Sequence, residues 1–101
     1  MDKYIEAEGM DVHGFLLEQL SDELEGSEAY HKHAKMAKHR GDHGLATLLI
    51  THAKEELRHF EALMEIIEKN VPNLKINPLY PLLRDLEEWA ADMEAEIAAF
   101  R

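Results

Sequence analysis

An all-α fold, a long antiparallel helical hairpin followed by a third, C-terminal helix, is predicted by three observations. Apolar residues recur at three- and four-residue intervals through most of the 101-residue chain. No stretch alternates apolar and polar residues as a half-buried strand would. Helix breakers gather in only two places: "RGDHG" at 40–44, and "NVPNLKINPLYP" at 70–81, which holds all three prolines.

The first helix is predicted over residues 11–40. One face carries Leu16, Leu20, Glu23, Ser27, Tyr30, Ala34 and Ala37. Its end is marked by Gly41 and by Lys32, Lys35, Lys38 and Arg40, positive charges that suit the negative end of a helix dipole. The second helix is predicted over residues 43–69. It aligns Leu45, Leu49, Ala53, Glu56, Phe60, Leu63 and Ile67, with His52 and His59 at the edge of that stripe. The short connection makes the two antiparallel. Residues 70–81 read as an extended linker, because proline withholds a backbone donor and biases its predecessor away from helix. A third helix over 82–100 sets Leu82, Leu86, Trp89, Met93, Ile97 and Phe100 at core spacing, and Glu96 falls close to that stripe.

Length bounds the chain to a single small domain, 1–101, with a modest core that oligomerisation would enlarge. A net charge of −10 argues against nucleic acid, whose phosphates repel an acidic surface, and suits a protein that attracts cations. The absence of cysteine excludes disulfides, thiolate metal sites and thiol nucleophiles, and is consistent with a cytoplasmic location. The opening "MDKYIEAEGMD" is acidic without an apolar run, so neither a signal peptide nor a membrane span is expected.

Both hairpin stripes are apolar except near their middles, where each is interrupted by a glutamate. A carboxylate on a buried stripe costs several kcal/mol of desolvation unless something pairs with it, and no basic residue sits on either stripe. Glu56-x-x-His59 places a carboxylate and an imidazole one turn apart, within reach of one ion, and Glu23 faces them from the other helix. Oxygen and nitrogen donors without thiolate suit iron, manganese or zinc. Glu28 and His31 share the spacing, but their positions lie off the stripe and are expected to be solvated. Tyr30, two turns beyond Glu23, could hydrogen-bond a ligating carboxylate or simply serve as a core aromatic. His52 is an outer partner of the site or a satisfied core histidine. One chain thus supplies two carboxylates and one histidine, and a C2 dimer doubles them to the complement of a di-iron carboxylate centre.

The segment from Leu20 to Ile67, with "ELEGSEAY" followed by "AKEELRH", resembles the first hairpin of ferritin-like proteins such as rubrerythrins and bacterioferritins. The resemblance implies that Glu23, Glu56 and His59 ligate iron and that Tyr30 supports a ligand. Because no second hairpin follows, the chain looks more like encapsulated ferritins, half-ferritins whose four-helix bundle and iron site are completed by dimerisation. That likeness implies a homodimer with an interchain metal site, a higher homo-oligomer, cargo of an encapsulin compartment, and Glu25 as an additional ligand on the metal's way in. The activity it implies is a ferroxidase, oxidising Fe²⁺ to Fe³⁺ with O₂ or peroxide in iron storage or detoxification, with Zn²⁺ or Mn²⁺ as substitute metals. The alternatives are a rubrerythrin-like peroxidase and a non-catalytic metal-binding helical dimer.

Overall fold

In a computed structural model the described residues are 12–101, with side chains from Gly14 onward. The N-terminal acidic segment and Asp11, the predicted first residue of the first helix, lie outside them. The described chain is all-α: helix α1 (Val12–His39), helix α2 (His43–Asn70), a single 3₁₀ turn (Leu74–Ile76) and helix α3 (Tyr80–Ala98). Among the described residues there is no strand, and no helix is long and apolar enough to cross a membrane.

The α1–α2 turn is three residues long and closed by its own backbone. Gly41 takes φ +83°, the left-handed conformation that an L side chain resists. This lets Gly41 N–H reach Lys38 O and Asp42 N–H reach Ala37 O, both at 2.9 Å, which satisfies the last carbonyls of α1. Asp42 then begins the next helix, its carboxylate accepting from Leu45 N–H at 3.1 Å. Deeper in the hairpin the buried Ser27 hydroxyl donates to Ala53 O at 2.9 Å. Two small side chains at that level let the backbones approach, and the bond pins their register.

The linker is not extended throughout. Val71 is buried, and Leu74 and Leu79 close over Ile67 and Leu83, because leaving these five apolar side chains in water would cost more than the 3₁₀ turn. Asn73 absorbs the bend with φ +53°. Helix α3 starts at Tyr80 rather than after the last proline. Pro81 sits in the first turn, where the missing N–H has no intrahelical acceptor, and Asn77 Oδ1 accepts from Leu79 N–H just ahead of it.

The core follows the predicted stripes but is rotated toward α3. Leu20, Leu24, Ser27, His31 and Ala34 of α1 are buried with Ile50, Ala53, Leu57, Phe60, Met64 and Ile67 of α2, and α3 covers them with Leu83, Ala90, Met93 and Ile97. Two predicted core positions are corrected: Leu45 is 44% and Leu82 50% exposed. His31, expected to be solvated, is instead buried edge-on against Phe100. For Leu45 and His31 the reason is the same. A third helix lying on one side of a hairpin moves the buried arc toward itself, so residues central in a two-helix projection fall at its edge.

Leu24 and Leu82 separate these arcs in a measurement. Leu24→Ala should lower unfolding stability in urea by about 2–5 kcal/mol, whereas Leu82→Ala should change it by less than about 0.5 kcal/mol.

Candidate metal centre

Rotation of the core leaves Glu23 and Glu56 at the margin of the hairpin seam, half-buried rather than engulfed. Their neighbours Leu24 and Leu57 take the core positions. One ligand atom each from Glu23, Glu56 and His59 lies within 4.8 Å of the others, and this is the one such donor group among the described residues. His59 Nδ1–H donates to Glu23 Oε2 at 3.1 Å; the His59 side chain is 62% exposed and that of Glu23 20%. Neither carboxylate pairs with a lysine or arginine among the described residues.

Burial pushes the Glu56 carboxyl above its usual range, a hydrogen bond with Glu23 and the charge of Glu23 push it further, and His59 offsets part of this. Two carboxylates facing each other at a half-dry margin, with one imidazole and no ammonium or guanidinium, form a donor set that a divalent cation would neutralise. The residues therefore fit a metal such as iron, manganese or zinc.

Gly26 forms the floor under Glu56. A Cβ built there would stand 3.1 Å from Glu56 Oε2 and 3.3 Å from its Cδ, closer than the carboxylate can comfortably tolerate. The contact is not legible in the sequence, because it depends on how closely α1 and α2 approach.

Tyr30, two turns along α1 from Glu23, and His52, one turn along α2 from Glu56, meet with their rings stacked, centroids 5.1 Å apart and planes 26° from parallel. His52 Nδ1 also pairs with Glu55 Oε1 at 3.2 Å, so Glu55, His52 and Tyr30 form a chain along one flank of the centre. Glu55 is the member that sequence reading misses, although its spacing of three from His52 is a usable signal. Neither Tyr30 nor His52 belongs to the three-residue donor group. Glu25 is exposed outside it, and Glu96 lies on α3 in a separate groove.

The side of α2 that bears His52 and His59 is apolar beyond them. Leu45, His52, His59 and Ile66 recur every seven residues and so share one side of the helix, with Leu48 adjacent. Leu45, Leu48 and Ile66 are 44%, 53% and 51% exposed. Among the described residues, Glu56 and His59 of the candidate donor group thus lie along an exposed apolar strip of α2.

Among protein families, the model described as Ferritin-like domain matches residues 14–99. The chain belongs to the ferritin-like family. Neither a curated protein nor a solved structure matches it.

Two outcomes follow from this geometry. The pKa of Glu56 is higher folded than unfolded, so the native state binds more protons, and stability falls as pH rises through that interval. In metal-free protein, Glu56→Gln should therefore raise the melting temperature at neutral pH, and the gain should vanish as pH drops below 4.5, the ordinary value for a glutamate carboxyl. Gly26→Ala should displace the Glu56 carboxylate and weaken divalent-metal affinity about 10–100-fold, measured by calorimetry, while the far-ultraviolet circular dichroism stays helical.

Proposed function

We propose that the chain is a ferroxidase of half-ferritin type: Fe²⁺ is its substrate, oxidised at a centre that two copies of the chain build together, in cytoplasmic iron storage or detoxification. The single observation that carries this reading is the convergence of Glu23, Glu56 and His59 within 4.8 Å on an uncovered apolar strip of a ferritin-like hairpin. Membership in the family supports iron; the donor count supports two chains. A di-iron carboxylate centre draws on four carboxylates and two histidines, and one chain holds half.

A second copy related by a two-fold axis would bring the same strip face to face with itself. Leu45 and Leu48 at one end, with Leu63 and Ile66 at the other, would then bury against the partner and exclude water from the donors between them. Four carboxylates would balance the charge of two divalent ions, which offsets the burial, and with it the repulsion from Glu23, that raise the Glu56 pKa in the single chain. Iron bound there supplies the electrons that reduce O₂ or peroxide. Glu56 and Glu23 hold the ions, His59 completes the donor set from its exposed side, and Tyr30, steadied by His52, stands beside them to orient a carboxylate. A larger ring of such dimers would supply the enclosure that one hairpin pair lacks.

Anaerobic Fe²⁺ loading followed by admission of air, monitored by Fe³⁺ absorbance, tests the reading. The parent should oxidise iron at least about tenfold faster than Glu56→Ala, which should run at the rate of free iron. Equal rates with O₂ but a difference with peroxide would transfer the assignment to a peroxidase, and equal rates with both would overturn it in favour of a structural metal. Leu45→Lys with Ile66→Lys, examined by analytical ultracentrifugation, should yield monomers that keep their helical content and lose oxidation.

A further inference from the structure

At the far end of the hairpin a groove of about 680 Å³ opens between the last turns of α1 and the end of α3. His31, Lys35, Lys38 and His39 line it from α1, with Glu96 and Arg101 from the other side. In a chain of net charge −10 this shifts the local balance: three cationic side chains and two imidazoles surround one side-chain carboxylate. Neither Lys35 nor Lys38 has an ion-pair partner among the described residues.

The preference of cations for a helix C-terminus accounts for only part of this. That effect is confined to about the last turn, which holds Lys38 and His39. Lys35 is a turn further back, and His31 two. His31 is also the odd residue chemically. It is 7% exposed, its ring meets Phe100 edge-on at 6.1 Å between centroids, and among the described residues it has no hydrogen-bond partner. No buried side-chain nitrogen or oxygen among the described residues lacks a partner, so the His31 ring nitrogens reach solvent, and its place on the groove wall makes the groove their way out. Lys38 is held in position as well, with Nζ 5.4 Å from the Phe100 ring centroid.

We propose that this groove binds a phosphate-class oxyanion, either inorganic phosphate or the phosphoryl group of a small metabolite. Lys35, Lys38 and Arg101 supply the charge, and the His31 ring N–H supplies a fixed donor at the floor. Three cationic side chains and one side-chain carboxylate exclude a metal ion, and the donor group found by geometry is elsewhere. Phe100 and Ala99 leave an apolar wall, with room for a carbon skeleton beyond the phosphoryl group. Eight residues of α1 separate His31 from Glu23, about 12 Å along the axis, so the groove does not share the metal donors.

The test follows the His31 ring signals by ¹H–¹⁵N NMR, with calorimetry in parallel, during titration with inorganic phosphate and with ribose 5-phosphate at constant ionic strength. A saturable His31 shift is expected, with affinity falling at least about tenfold (1.4 kcal/mol) in the Lys35→Gln, Lys38→Gln double variant and rising in Glu96→Gln. All three positions are exposed, so the variants should remain folded. Tighter binding of ribose 5-phosphate assigns the Phe100 wall to a metabolite, whereas equal binding assigns the site to phosphate itself. The proposal is overturned if neither ligand moves His31 at millimolar concentration. It is overturned equally if chloride at matched ionic strength moves it as much, or if the lysine substitutions leave the affinity unchanged.

Discussion

The register of the α1–α2 hairpin is the constraint on which the rest depends. It is set twice, by the left-handed Gly41 and Asp42 cap in the turn and by the buried hydroxyl of Ser27 on Ala53 O. Those contacts bring Glu23 level with Glu56 and lay the Glu56 carboxylate across Gly26. A slip of one residue in either helix would turn a donor by about 100° and disperse the group. Within the donor group His59 bridges the helices to Glu23 at 3.1 Å, while the charges of Glu23 and Glu56 oppose each other. Packing carries that repulsion in the absence of a cation, and this is how an acidic pair persists at a half-dry seam.

Placement of α3 divides the hairpin into two unequal sides. On one, Leu83, Ala90, Met93 and Ile97 close the core. On the other, α2 shows water a strip of leucine and isoleucine with carboxylates and imidazoles in its middle. A monomer gains nothing from that arrangement, because exposed apolar area forgoes burial and crowded carboxylates raise their own free energy. Both costs are relieved by the same event on the proposed reading, the joining of two strips around cations. Metal binding and assembly are then linked: whatever favours one favours the other.

Charge is distributed along the same axis. The net acidity of the chain favours the approach of cations, and the metal donors are part of it. Around the end of α3 the balance shifts, and Lys35, Lys38 and Arg101 gather with His31 over Phe100. On the two proposed readings, one small domain offers a cation-seeking face and an anion-seeking end separated by about two turns of α1.

What the amino-acid order determines by itself is local. Helical period, the two breaks and the connection length specify three helices and a hairpin. The spacing of Glu56 and His59, with Glu23 interrupting the opposite stripe, marks the donors before any fold is known. These features are legible because a 3.6-residue repeat and a one-turn spacing depend on neighbours in sequence. Tertiary structure decides which arc of each helix is buried. It moved the core from the column of Leu45 and Glu56 to that of Leu57, buried His31 and left Leu82 in water. It also assigned Gly26 to the floor of the centre and paired Tyr30 with His52. None of this is encoded in periodicity, because the position of α3 against the hairpin is set by the summed packing of residues distant in sequence.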